Sequence, residues 1–275
     1  LMTTLTSRLE RMPLSAVGAR AAANIAWSAA VLGSEEAGLL CFVWRALDET
    51  VGQMQTTGLS QAHQFMLNSQ LSDLSRQEVF AAFYGSTPSA RVVAAARSLA
   101  ERESELCRRA FLAESRRQLR TRTSSRLHRA VSAVLVKVAP QALPELSDPE
   151  LTQEGDSPDS EVASRESSSS SRHWATGTPW LVHEYFDPQS GYSVDMFIPR
   201  FKLAIEVDGP THFDWRGERP LGRTTMKQRH LQALGFRVMS VSFLEWGTEA
   251  AAEEEGSFVG HREELLRAKL LEAVD

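Results

Sequence analysis

The residues best suited to chemistry lie in two apolar runs between positions 192 and 213. Asp195 stands inside the first run, and Glu206 and Asp208 end the second. An ionised carboxylate is costly to bury alone, so such acids are usually paired, bound to a metal, or placed at a strand end that faces a cleft. His212 follows a glycine-proline turn directly after them. This spacing indicates acids and a histidine gathered at the ends of adjacent strands.

Such a cluster has the side chains that metal-assisted phosphate chemistry needs. Asp195, Glu206 and Asp208 would bind Mg²⁺ through hard carboxylate oxygens. His212 would act as a general base or contact a phosphate, and Lys227 on a following helix would neutralise phosphate charge. The sequence predicts catalytic and metal-binding roles for these five residues only if the protein is an active nuclease.

A structural role for the same residues stays open. In that alternative Asp208 begins a turn, Glu206 pairs with Arg229 or Lys227, and His212 packs beneath the following phenylalanine. Buried acids that are satisfied by hydrogen bonds are common in folded proteins. The residue types alone do not decide between these two interpretations.

The elements that would position these residues form a β-rich C-terminal half. Alternating and continuous apolar runs predict strands at 180–186, 192–199, 202–208 and 236–243, and helical periodicity predicts helices at 124–139, 224–234 and 260–274. The third strand is nearly all apolar, which is typical of a central strand. The predicted order is therefore α-β-β-β-α-β-α.

The N-terminal half has the pattern of short helices. Apolar residues at helical spacing predict helices at 14–35, 36–54, 59–71, 77–84 and 89–123. Helices of this size with short polar joints are typical of helical-repeat arrays, and a small bundle without repeats is the alternative. The fold class predicted for the whole chain is α+β, with an all-α N-terminal region.

Arginines cluster at the end of the long fifth helix and the start of the next. The predicted RNA-contacting residues there are Arg108, Arg109, Arg116, Arg117, Arg120, Arg122, Arg126 and Arg129. A solvated helix face is the alternative, but no acid follows Glu114 until Glu145, and this favours contact with phosphates. Further predicted contacts in the β-rich half are Arg200, Lys202, Arg223, Lys227 and Arg229.

The formal net charge of -5 hides this basic region. Residues 144–173 are rich in Asp, Glu, Ser and Pro and nearly lack apolar side chains, so we expect an acidic, disordered insertion. The predicted domains are a helical region at 1–123, the first helix of the C-terminal domain at 124–143, the insertion, and the rest of that domain at 174–275. No apolar run is long enough for a membrane span, and no membrane partner is expected.

Several short motifs of the C-terminal half occur together in one known family. They are Glu206-Val-Asp208, Gly209-Pro-Thr-His-Phe213, Thr224, Lys227, Arg229 and Leu231 on one helix, Gly235-Phe236, and Glu245-Trp246. In this combination the sequence from about 127 to 271 resembles the RAP domain, an RNA-binding domain abundant in apicomplexans. Upstream helical repeats are also found in organellar proteins of this kind.

This resemblance implies a restriction-endonuclease-like α-β-β-β-α-β fold and a role in RNA binding or processing, mostly in mitochondria and plastids. The related nuclease signature ends in acid-x-Lys, and Asp208 stands where that lysine would be. The main hypothesis is thus a non-catalytic, mitochondrial RNA-binding protein without a cofactor, with a plastid as the alternative location. It would bind RNA, including ribosomal RNA, and proteins of a ribonucleoprotein such as the mitochondrial ribosome. The alternatives are a Mg²⁺-dependent endoribonuclease and a structural subunit of a large assembly.

Overall fold

A computed structural model describes residue 8 and residues 12–71, 90–121, 125–147, 180–247 and 258–275. The chain divides into two compact units. The helical unit comprises Leu1–Arg117, Pro188–Gly191 and Gly222–His230, and the sheet unit comprises Gln118–Asp187, Tyr192–Leu221 and Leu231–Asp275. Each unit has its own hydrophobic core.

The helical unit is built from amphipathic helices around an alanine- and leucine-rich core. The helices are α1 (Ala19–Leu32), α2 (Ala37–Thr50), α3 (Thr56–Leu71) and α4 (Ala90–Thr121), the last of which continues past the end of the unit. Helix α1 packs against α2 and α3. Leu47 and Phe65 are completely buried there, together with Met226. Gly33 ends α1 in the left-handed conformation, with φ of 61°, which glycine adopts without a steric penalty.

The sheet unit places helices beside a small mixed sheet. Its elements are α5 (Arg126–Ala142), β1 (Val182–Phe186), β2 (Ser193–Ile198), β3 (Leu203–Asp208), β4 (Arg237–Ser242), α7 (Phe243–Trp246) and α8 (Phe258–Val274). Helix α6 (Gly222–Ala233) lies between β3 and β4 in the chain, and its residues Gly222–His230 belong to the helical unit. The described strands lie in the order β1-β2-β3-β4. Strand β3 pairs antiparallel with β2 and parallel with β4, and all its residues are buried. The predicted central strand is confirmed.

The α+β fold class is confirmed, and the described elements of the C-terminal half follow the predicted order. Residues Pro144–Ser147 form a 3₁₀ turn, and Leu146 packs into the sheet unit's core with 6% exposure. Ordered chain therefore continues into the first residues of the predicted insertion, whose remainder from 148 onward lies outside the described residues. The predicted helix at 77–84 and Arg122 also lie outside them. Among the helices that the structure describes, none is long and apolar enough to cross a membrane.

Candidate nucleic-acid interface

Asp195 is held inside the sheet unit by a backbone group of the neighbouring strand. The β2–β3 ladder includes the pair Met196 and Ile205, and Asp195 lies one step beyond it. Its Oδ2 accepts a hydrogen bond from the backbone N–H of Val207 at 2.8 Å. Asp195 is 2% exposed. The carboxylate therefore supplies the acceptor that a buried backbone N–H requires.

One histidine lies beside this carboxylate, and a second histidine stacks on the first. His128 Nδ1 is 4.0 Å from Asp195 Oδ1, and its ring stacks on that of His183 with centroids 5.9 Å apart. Burial lowers the pKa of His183, and the neighbouring His128 lowers it further. His128 is itself buried, with 7% exposure. Its partners lie on β1 and β2, which helical periodicity within α5 cannot reveal.

Asp208 joins β3, β4 and the loop that follows β3. Its Oδ2 accepts a hydrogen bond from the Ser240 hydroxyl, and its Oδ1 lies 2.8 Å from His212 Nδ1. Asp208 is 3% exposed. One carboxylate oxygen is therefore hydrogen-bonded to β4, and the other lies against the His212 ring. His212 therefore packs against Asp208 and is only partly exposed.

The three predicted metal ligands do not fit a magnesium site. Magnesium ions usually keep several water ligands and demand nearly octahedral geometry. Asp195, Glu206 and Asp208 are each exposed by 3% or less, and oxygens of Asp195 and Asp208 are hydrogen-bonded within the sheet unit. In the part of the chain that the structure describes, no group of three or more His, Cys, Asp or Glu residues is arranged to hold a metal.

Lys202 closes the C-terminal end of helix α6. Its Nζ donates a hydrogen bond to the Leu234 carbonyl at 2.8 Å and lies 4.8 Å from the centre of the Phe236 ring. A cation at a helix C-terminus satisfies a terminal carbonyl and interacts favourably with the helix dipole. Lys202, which the sequence predicts to contact RNA, therefore helps to stabilise the end of α6.

Arg229 has a similar task within the helical unit. Its guanidinium donates to the Ala30 carbonyl, in the last turn of α1, and to Asn68 Oδ1 at 3.0 Å. His230, the next residue, lies 3.2 Å from the same amide oxygen through Nε2. Burial lowers the pKa of His230 to about 4, and Arg229 and His63 contribute in the same direction. Arg229 thus takes part in the packing of the helical unit.

Of the predicted contacts on α4, Arg108 is partly buried and Arg109 and Arg117 are exposed, and all three are engaged by acids of the same helix. Glu105 binds Arg108 at 2.9 Å and Arg109 at 2.7 Å, and Glu114 binds Arg117 at 2.8 Å. Hydrogen bonds from both arginines lower the pKa of Glu105 to about 2. Exposed pairs of this kind contribute little to stability. A polyanion can therefore replace the glutamates at small energetic cost.

The remaining predicted cations are distributed over both units. Four of them are exposed arginines of the sheet unit, namely Arg120, Arg126, Arg129 and Arg200. Two of them, Arg126 and Arg129, are three residues apart in the first turn of α5 and share one helix face. Arg116 is exposed on α4, and α6 carries the exposed Arg223 and the partly buried Lys227 within the helical unit. The structure keeps at least four arginines of the sheet unit accessible.

Comparison with known proteins identifies the region around β3. Residues 205–258 match the family model of the RAP domain. The chain contains a RAP domain. A chloroplastic RAP domain-containing protein of Oryza sativa subsp. japonica is 40% identical to this chain over 72 residues. That match covers 26% of this chain and 11% of the rice protein. The predicted RAP resemblance is confirmed, and RAP domains are generally RNA-binding.

The RAP motif residues build the fold. Gly235 has φ of 79°, and Phe236 N–H bonds back to the Leu231 carbonyl at 3.0 Å, which ends α6 in a Schellman motif. Glu245 forms a capping box with Ser242 at the start of α7. Trp246 is 2% exposed in the core of the sheet unit. Helix ends and buried packing account for these positions.

Sequence reasoning missed two groups of residues. Ser240 on β4 donates to Asp208, and His183 on β1 stacks on His128, and only the folded structure reveals these contacts. Trp215 was also missed, although it is 88% exposed on the loop after the Gly-Pro-Thr-His-Phe motif. A tryptophan and two arginines within a short segment between a strand and a helix were the available signal.

Proposed function

We propose that this chain is a non-catalytic organellar RNA-binding protein that acts in RNA processing or stability, or as a ribosomal-RNA-binding component of a ribonucleoprotein. The proposal depends mainly on one observation, which is that the acids are buried while the arginines are exposed. The predicted catalytic acids Asp195, Glu206 and Asp208 are buried, and Asp195 and Asp208 accept hydrogen bonds, whereas arginines of the sheet unit are exposed. Exposed arginines supply the phosphate contacts on which non-specific RNA affinity depends.

The RNA surface of the sheet unit is centred on α5. Arg126 and Arg129 lie one turn apart and contact neighbouring phosphates, and Arg120 and Arg200 add positive charge to the same unit. Arginine suits this task because its planar guanidinium binds phosphate oxygens in pairs. In the helical unit, the arginines of α4 exchange their glutamate partners for RNA.

The organelle is proposed from the chloroplastic relative. That protein shares only part of its length with this chain, so its location supports an organelle in general and favours a plastid over the initially expected mitochondrion. A fluorescent fusion of the complete protein, imaged beside plastid and mitochondrial markers, tests this. Diffuse fluorescence outside both organelles would contradict an organellar role.

Salt dependence and cleavage assays test the biochemical proposal. The purified chain should bind single-stranded RNA with an affinity that falls steeply between low and moderate salt, because bound phosphates release counterions. Incubation with Mg²⁺ should leave structured RNA intact. Cleavage that disappears in an Asp195→Asn/Glu206→Gln variant would instead support the endoribonuclease alternative, and asparagine keeps an acceptor for the Val207 N–H.

A third outcome is diagnostic of the structural-subunit alternative. If the chain shows no salt-sensitive RNA binding but co-purifies with protein neighbours after ribonuclease treatment, its role is to hold proteins together. Crosslinking of the chain to RNA inside the organelle, followed by sequencing of the bound fragments, separates ribosomal from messenger or precursor RNA.

A further inference from the structure

The loop between β3 and α6 presents a tryptophan to solvent. Trp215 is 88% exposed, more than any other exposed large hydrophobic residue in the part of the chain that the structure describes. The guanidinium of Arg216 lies over its ring, 4.8 Å from the ring centre. One face of the indole is thus covered by a cation, and the other is accessible to a ligand.

This loop is held closed by contacts between its two sides. Phe213 and Pro220 form an antiparallel bridge, and the Leu221 N–H donates to the His212 carbonyl at 2.7 Å. Asp214 N–H donates to the Arg219 carbonyl at 2.8 Å. Closure of this kind fixes the loop tip before any ligand arrives, which lowers the entropic cost of binding.

Side-chain contacts inside the loop and at its base fix its conformation further. Asp214 Oδ1 accepts from the N–H groups of Glu218 at 3.0 Å and Arg219 at 3.4 Å. The Phe213 ring packs edge-on against Phe243, with centroids 5.4 Å apart. At the base, His212 contacts Asp208, which is anchored to β4 through Ser240. The buried acid therefore acts as a positioning residue for the loop.

We propose that Trp215 and Arg216 form a stacking platform for an unpaired nucleobase of single-stranded RNA. An exposed indole offers a flat apolar face, and base stacking on aromatic rings is the usual way that proteins hold single strands. Arg216 sits on the far face of the ring, and Arg219 is exposed in the same loop. These cations match the phosphates that flank a stacked base, and this favours RNA over an apolar protein partner.

The proposal rests on the proposed RNA-binding function and adds a preference to it. Phosphate contacts by helix arginines do not distinguish paired from unpaired RNA strongly, whereas a stacking platform requires a base that is out of the helix. The chain should therefore bind an unstructured oligonucleotide more tightly than a fully paired duplex with the same total number of phosphates.

The test uses the full chain and an RNA probe that contains one 2-aminopurine. The probe is an unstructured oligonucleotide of about 12 nucleotides, a length within the range that single-strand sites cover. Stacking on Trp215 should quench the probe in the wild-type protein and in Trp215→Phe, but not in Trp215→Leu. The affinity of Trp215→Leu for this probe should fall about tenfold, which is the scale of one lost stacking contact.

Controls separate this proposal from the function on which it rests. Leu244, 53% exposed in the same unit, is changed to alanine as a matched surface control and should bind like the wild type. The salt dependence of affinity should be unchanged in Trp215→Leu, because no charge is removed. If Trp215→Leu binds the single-stranded and the paired probe with the same affinities as the wild type, the stacking platform is refuted, while RNA binding by the chain stands. That result would assign Trp215 to a protein contact. If the wild type binds no RNA, both proposals fail.

Discussion

Two groups of charged residues differ in their exposure. The acids at the ends of β2 and β3 are buried, whereas the arginines at the start of α5 are exposed. Asp195 and Asp208 are 2% and 3% exposed and accept hydrogen bonds from the sheet unit. Arg126 and Arg129 are exposed in the first turn of α5. Buried charges must be compensated by the fold, whereas exposed charges remain available to a ligand. In this molecule the acids are built into the scaffold and the arginines remain exposed.

The largest effect should follow from removal of Asp208. Asp208→Ala leaves the Ser240 hydroxyl and His212 without their carboxylate, and we expect the free energy of unfolding to fall by about 3 kcal/mol. Urea denaturation measures this loss. Glu218→Ala, at an exposed position of the following loop, is the matched control and should change stability by less than about 0.5 kcal/mol. A small effect of Asp208→Ala would mean that the acid is not structural.

Arg229 tests whether a predicted RNA contact belongs instead with the scaffold. Arg229→Ala removes the donor to the Ala30 carbonyl and to Asn68, and should lower the free energy of unfolding by about 1–2 kcal/mol. The salt dependence of RNA affinity should stay close to that of the wild type. If the slope decreases while stability is unchanged, Arg229 is an RNA contact, and the division between scaffold and interface must be redrawn.

The buried histidines of the helical unit make the scaffold sensitive to pH. Burial lowers the pKa of His63 to about 4, and Arg108 contributes in the same direction, against the opposing effects of a Ser190 backbone hydrogen bond and Glu105. The unfolded chain then binds the extra proton between pH 6.5 and about 4, so stability is lost as the pH falls through this range.

Chemical denaturation between pH 6.5 and about 5 tests this effect. The expected slope is on the order of 1.4 kcal/mol per pH unit for each such histidine. His63→Gln should lower the slope of unfolding free energy against pH by the contribution of one histidine, and His230→Gln should have the same effect. An unchanged slope in both variants would contradict burial of neutral histidines.

The smallest effect concerns the glutamate that engages the α4 arginines. Glu105→Gln removes the partner of Arg108 and Arg109, and stability should change by less than about 0.5 kcal/mol because the pairs are exposed. RNA affinity at low salt should rise slightly, since two arginines no longer have a competing carboxylate. Reduced RNA affinity would show that Glu105 orients these arginines for RNA.

Much of the fold was predictable because local patterns carry it. The apolar run of β3, the Ser125 cap of α5 and the glycine that ends α6 each have a signal within a few residues of sequence. The apolar run of β3 also indicates a strand with neighbours on both sides, and β3 pairs with β2 and β4. The family motifs were recognisable for the same reason, since helix ends and turns account for many of them.

The contacts of the site were less predictable because they join elements that are distant in sequence. Nothing near Asp208 indicates Ser240 as its partner, and nothing near Asp195 indicates the Val207 N–H. Arg229 resembles an exposed helix cation until Ala30 and Asn68 are brought against it. Charge patterns locate ionisable residues, but only the packed structure tells which of them face solvent.

The most direct test compares two variants in one RNA-binding assay across a range of salt concentrations. Arg126→Ala/Arg129→Ala should retain wild-type stability but bind RNA more weakly, with the slope of log affinity against log salt reduced by about 1.5 for two lost phosphate contacts. Asp195→Asn/Glu206→Gln should bind RNA with the wild-type slope. If the folded arginine variant binds like the wild type and the acid variant loses RNA binding, the acids and not the α5 arginines are needed for RNA binding.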